Sequence, residues 1–245
     1  MNLDGIAKDY AFKLFGLTAE EIVGAVKQEL PADLFAKVSV SENCLDGRVA
    51  VSDDATMGQR KEIIFKLFSR FSANLYSEID EQLAYRAFRL LNQRKARLGV
   101  AESLTGGLLA AEIVKFPGAS NVLTEGIVAY SNAAKQLRLD VYPEILQNFG
   151  VVSAQTAAAM VEGLLSRQYN DVAVSTTGYA DSTDAFTPAG LVFVGIGVRG
   201  HVETHKYSFS GDRDTVRRCA VNAALFQLIK LLKGDFHPED YNVNN

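Results

Sequence analysis

The chain is expected to fold as an α/β protein, with a three-layer α/β/α mixed sheet preceded by a small α+β module. Three observations predict this. From about residue 95 onward, Val- and Ile-rich runs alternate with helix-patterned segments, as in sheets covered by helices. The last two apolar runs, Leu191 to Val198 and Glu203 to Phe209, lie close in sequence and are expected to pair antiparallel. Residues 1–79 have a different texture of helix, hairpin and helix, so the domain boundary is placed between a module at 1–79 and a domain at 80–245.

In the module, Thr18 to Leu30 opens on Thr-Ala-Glu-Glu and spaces Ile22, Val23, Val26 and Leu30 along one face before Pro31. That is a capped amphipathic helix. Lys37 to Val40 and Arg48 to Val51 alternate as short strands, with a turn expected around Asp46-Gly47. Gln59 to Phe71 carries Ile63, Ile64, Leu67 and Phe68 at helical spacing. A structural or dimerising appendage is the plain reading of this module.

Asp80 to Lys95 is a further helix and leads into the second domain. Its strands are expected at Leu98 to Ala101, Ile127 to Tyr130, Val172 to Ser175, and the two late runs. Its helices are expected at Thr105 to Lys115, around Asn132, from Ser153 to Arg167, and from Asp212 to Leu232. No internal repeat or low-complexity segment interrupts them.

Composition excludes several classes. With 48% hydrophobic and 22% charged residues, the 245-residue chain can bury a sizeable core. A net charge of −4 gives no footprint for nucleic acid or an anionic membrane surface. The N-terminal stretch does not read as a secretory signal, and no run of about 18 apolar residues suggests a membrane span. Cys44 and Cys219 have no metal-ligand spacing and fit reduced thiols. The expected setting is the cytoplasm, with no metal, no cofactor, no nucleic acid and no membrane. A homo-oligomer is expected.

In open α/β sheets, ligands collect outside the carboxyl ends of the strands. Four polar clusters are expected there: Glu102-Ser103-Leu104-Thr105, Tyr130-Ser131-Asn132, Thr176-Thr177-Gly178, and Asp181 to Thr187. Ser103 has two readings. It can cap the next helix. Alternatively, Gly106 and Gly107, poor helix formers, open the backbone to a substrate, and Ser103 is a nucleophile beside an oxyanion or phosphate site. A serine nucleophile needs a base. His201, His205 and His237 come late and near no strand-end cluster, so Lys135 is the better candidate. A base lysine at pH 7 must lose about three pKa units, roughly 4 kcal/mol, through burial or nearby cations. A solvated helix lysine is the plain alternative. Tyr130 either assists the pair or packs, and Asn132 either binds substrate or caps a helix. Gly195-x-Gly197-x-x-Gly200 matches a dinucleotide fingerprint only formally, since it leads into a strand and not a helix.

These motifs resemble a known family. AESLTGG resembles the AESCTGG signature of the CinA C-terminal family, the nicotinamide-nucleotide amidohydrolases. FPGASNVLTEGIVAYSNAAK, GVVSAQTA and GDRDTVRRCAV resemble its later motifs in the right order, so the likeness covers about 95 to 232. LYSEIDEQLAYRAFRLLNQRKARLGV resembles the join between the middle module of full-length CinA proteins and their amidohydrolase domain. Their molybdopterin-binding-like domain has no counterpart in this sequence, so a pyrophosphatase activity is not carried over.

The resemblance implies hydrolysis of the carboxamide of nicotinamide mononucleotide to nicotinate mononucleotide and ammonia, a step of pyridine nucleotide recycling. It implies Ser103 as nucleophile, Lys135 as base and Tyr130 as assistant. Glu102, Thr105, Gly106, Gly107, Asn132, Thr177 and Gly178 would contact or shape the substrate. One departure matters. The family follows T-G-x-A with a glycine-rich loop, whereas here Asp181 to Phe186 replaces it, about two residues shorter and with two aspartates that repel phosphate. Leu104 replacing the usual cysteine is milder. The alternatives are therefore a non-catalytic nucleotide- or partner-binding relative, and an amidohydrolase with a different amide substrate.

Overall fold

The computed structural model describes residues 10–182 and 188–234. The chain divides into two compact units, Met1–Leu83 and Ala84–Asn245.

In the first unit, β1 (Tyr10–Phe15) is followed by α1 (Ala19–Glu29) and α2 (Ala32–Phe35), then by the hairpin β2 (Val38–Asn43) and β3 (Asp46–Val51). α3 (Met57–Phe71) and β4 (Leu75–Ile79) complete it. The sheet is antiparallel in the order β2-β3-β1-β4. Thr18 and Glu21 form the expected capping box of α1. Ile22 and Val26 of α1 meet Ile63 and Leu67 of α3 in one core with Phe12 and Leu14.

Two features differ from the sequence reading. The module contains the strands β1 and β4, which the helix–hairpin–helix reading lacks. β1 is central and buried at all six positions, so it shows no polar alternation to mark it. The hairpin turns at Cys44-Leu45 and not at Asp46-Gly47, which pair within the ladder. Cys44 and Leu45 have φ of 50° and 61°, the left-handed geometry of a tight hairpin turn without its usual glycine or asparagine.

α4 (Leu83–Arg94), which starts at the last residue of the first unit, leads to β5 (Leu98–Glu102) and α5 (Leu108–Val114) of the second. Next come a 3-10 turn at Ala119–Asn121, β6 (Leu123–Val128), α6 (Asn132–Leu139), α7 (Pro143–Phe149) and α8 (Ala154–Leu165). β7 (Val172–Gly178), β8 (Leu191–Val198), β9 (His201–Ser208) and α9 (Arg213–Lys233) close it. The sheet order is β6-β5-β7-β8-β9. β6, β5 and β7 are parallel, while β8 and β9 run antiparallel, which makes the sheet mixed as expected.

Helices cover both faces. Ala101 and Ala173 share a core with Leu139 of α6, Leu146 of α7 and Met160 and Leu164 of α8. α5 and α9 pack together on the other side, where Glu102 of β5 reaches the first turn of α5. Glycine sets one helix contact. A Cβ on Gly163 of α8 would lie 1.9 Å from the Leu139 carbonyl oxygen, so only glycine lets α8 approach the end of α6. Among the described residues, no helix is long and apolar enough to cross a membrane.

Candidate active site

Strand alternation aims the loop after β5. Glu102 turns toward α5, as Val100 does by period-2 alternation, while Ala101 turns toward α6 and α8. Ser103, the next residue, falls on the α6 side. Its amide donates to the Thr176 carbonyl at 2.9 Å, which continues the β5–β7 pairing through the loop entrance.

Lys135 meets it there. α6 starts after Ser131, whose hydroxyl accepts from the Ala134 amide at 3.1 Å. One turn on, Lys135 is 1% exposed. Its Nζ donates to Ser103 Oγ at 3.1 Å and to the Ala129 carbonyl at 2.8 Å. Neither partner is charged. Burial therefore pushes the lysine down from 10.5 to about 8, because an ammonium removed from water without a counter-ion loses its preference for the charged form.

The loop between them is tied down from two directions. The Glu102 carboxylate is 1% exposed and accepts from the amides of Gly107, Leu109 and Ala110 at 2.9, 3.0 and 2.9 Å. Arg217 of α9 donates Nε to the Leu104 carbonyl and Nη2 to the Thr105 carbonyl, both at 3.1 Å. Gly106 and Gly107 bend the chain at φ of 60° and 98°. The Leu104 and Thr105 amides donate to no described residue.

A cleft of about 220 Å³ opens over Ser103, lined also by Leu104, Tyr130, Gly178, Tyr179, Ala180, Asp181 and Arg213. Arg213, in the first turn of α9, spans its mouth. Its Nη2 donates to Tyr130 Oη at 2.9 Å, and its Nη1 donates to both Asp181 carboxylate oxygens at 2.9 Å.

The family model described as the CinA C-terminal domain matches residues 80–232. The chain belongs to the CinA C-terminal domain family. A competence-damage inducible protein of Clostridium acetobutylicum is 39% identical over 178 residues, which is 72% of this chain and 43% of that protein. A CinA-like protein of Thermotoga sp. strain RQ2 is 34% identical over 225 residues, 86% of this chain and 54% of that protein. The chain thus spans about half the length of these curated relatives. Among solved structures, the competence damage-inducible protein A of Klebsiella pneumoniae aligns with a TM-score of 0.60 at 35% identity, covering 63% of this chain and 97% of that one. The competence/damage inducible protein CihA of Agrobacterium tumefaciens gives 0.58 at 37% identity, covering 60% and 92%.

Within this CinA-family chain, Ser103, Lys135, Tyr130 and Gly178 converge on or beside the cleft. Others point elsewhere. α5 begins at Leu108 and not at Thr105, so Ser103 does not cap it; the carboxylate of Glu102 does. Expected at the substrate, Glu102 instead occupies the very amides that an anion would use. Thr105 is buried, with its hydroxyl 2.7 Å from that of Thr176. Thr177 donates to the Val151 carbonyl at 2.8 Å. Thr176, Thr177 and Gly178 lie inside β7, not beyond its end. Asn132 is an exposed first residue of α6, and the cap is Ser131.

Gly195 sits in β8, where a Cβ would come 2.7 Å from the Ala157 carbonyl oxygen, which gives the glycine a packing role under α8. His201 pairs with Glu203 at 2.9 Å on β9. His237 and the loop positions Thr183 to Thr187, including Asp184, lie outside the described residues. Sequence reading missed Arg213 and Arg217. Both lie in the GDRDTVRR stretch, which was read as a helix start and a family motif but not for the reach of its arginines.

Proposed function

We propose that the second unit is a serine–lysine amidohydrolase acting on the carboxamide of nicotinamide mononucleotide or a related pyridine amide. The observation that carries this reading is the Ser103–Lys135 contact, with the lysine buried and both of its described partners uncharged. With Lys135 near 8, roughly a tenth of it is neutral at pH 7. Neutral Nζ keeps its donation to Ala129 and turns its lone pair to the hydroxyl proton of Ser103.

Proton transfer to Nζ accompanies attack of Ser103 Oγ on the amide carbon. The resulting oxyanion falls within reach of the unengaged Leu104 and Thr105 amides, a donor pair that Arg217 fixes through the neighbouring carbonyls. The Lys135 ammonium then protonates the departing nitrogen, ammonia leaves, and an ester joins Ser103 to the pyridine carboxyl group. Water, losing its proton to Lys135, cleaves that ester and restores the serine. Arg213 lines the same cleft, with its guanidinium on Tyr130 and Asp181.

A second reading rests on the Asp181–Arg213 contact, which occupies that cation and favours a protein that binds a nucleotide or partner without turnover. Ammonia release from nicotinamide mononucleotide and its riboside by the wild type and Ser103→Ala separates them. The amidohydrolase reading expects turnover that falls by about 10³-fold or more in the variant. No release from any pyridine amide, with ligand binding retained, establishes the second reading.

A further inference from the structure

Asp181 stands where the family carries glycines, and its carboxylate accepts from Nη1 of Arg213 beside the cleft. Resting on the amidohydrolase reading, we infer that Asp181 is the specificity-determining residue of this site: it is a built-in counter-anion that selects against a phosphomonoester and admits the unphosphorylated pyridine amide nucleoside.

Arg213 makes two kinds of contact. Nη2 donates to the Tyr130 hydroxyl at 2.9 Å, and Nη1 to both oxygens of Asp181 at 2.9 Å. All three groups line the cleft that opens on Ser103. Of the other described cations near the loop, Lys135 is buried against Ser103 and Ala129, and Arg217 has Nε and Nη2 spent on the Leu104 and Thr105 carbonyls and Nη1 on Asp214 at 3.3 Å. The amides at the start of α5 are taken by Glu102. A phosphate entering this cleft therefore has Arg213 as its cation, and Asp181 already holds it.

Two costs follow for a dianion. It must displace the aspartate, and it must then sit near the carboxylate it displaced. Both side chains of the pair are about half exposed, 48% for Arg213 and 50% for Asp181, so the contact exchanges readily and the penalty is moderate. An uncharged ribose hydroxymethyl group meets neither cost, and the positively charged pyridinium ring of such a nucleoside is tolerated beside a carboxylate. Specificity here comes from a repulsive element, not from an additional attractive contact.

The test measures binding without turnover. In the Ser103→Ala full chain, with and without Asp181→Asn, dissociation constants are measured for nicotinamide mononucleotide, nicotinamide riboside and ribose 5-phosphate. Removing the charge is expected to tighten both phosphorylated probes about fivefold, to change the riboside less than twofold, and to lose most of its effect at high salt. If neither phosphorylated probe tightens, or if the riboside tightens equally, the inference is overturned. If ribose 5-phosphate tightens while neither pyridine compound binds, the charge filter stands and the amide reading falls.

Discussion

The Lys135 ammonium is anchored by the carbonyl oxygen of Ala129 at 2.8 Å, a bond that a protonated and a neutral amine can both donate. It holds Nζ in place while the proton count changes, so the lysine can cycle without moving off Ser103. Burial supplies the rest of its chemistry, lowering its pKa to about 8.

The pH dependence follows with a definite sign. The neutral amine is the active form of a base, so kcat/KM rises with pH through about 8 and falls about tenfold per unit well below it. Stopped assays of ammonia release between pH 5.5 and 9.5 check this. A profile flat across pH 6 to 8 excludes Lys135 as the base.

Lys135→Met is expected to abolish turnover and to stabilise the fold. Below about 8 the folded protein holds a buried ammonium that the unfolded chain, with an ordinary lysine near 10.5, keeps in water. That difference costs on the order of 3 kcal/mol, reduced by the Ala129 carbonyl bond that Met cannot make. A net gain of about 1–3 kcal/mol at pH 7 is expected. It shrinks as pH rises from 8 toward 10.5, where the wild type sheds the charge. Urea unfolding at pH 7 and pH 10 measures both.

Glu102→Ala is expected to behave as a stability variant. It frees the amides of Gly107, Leu109 and Ala110 within a buried turn. A loss of about 3 kcal/mol is expected by chemical denaturation. A variant that keeps full stability and only raises KM would instead return Glu102 to the substrate.

Gly163→Ala acts at a distance from the serine. The new methyl collides with the Leu139 carbonyl of the helix that carries Lys135. The expected outcome is a destabilisation of about 2–3 kcal/mol and a lower kcat with KM little changed. Denaturation and steady-state kinetics on the same preparation separate the two effects.

Much of this was readable beforehand, for physical reasons that can be named. β8 runs Leu191–Val198 as the apolar run suggested, and Thr18, Ser153 and Asp212 cap helices where hydroxyl and carboxylate side chains precede apolar periodicity. β1 was not readable, because burial on both faces erases the alternation that marks a strand. Nor was the role of Glu102: a carboxylate at a strand end looks the same whether it turns to a ligand or back to its own chain. Arg213 meets Tyr130 across 83 positions of sequence, a distance over which local pattern carries no information.

Both parts of the cleft are tied to α9. Ser103 and Lys135 follow β5 and β6, which run parallel, with Lys135 on α6. Asp181 and Arg213 follow β7 and β9, on the side where β8 and β9 run antiparallel. Arg213 and Arg217 stand one turn apart on α9, the first on Asp181 and the second on the Leu104 and Thr105 carbonyls, so one helix holds both the ion pair and the serine loop. A change in α9 is therefore transmitted to both, and what the cleft admits cannot drift independently of how its serine is held.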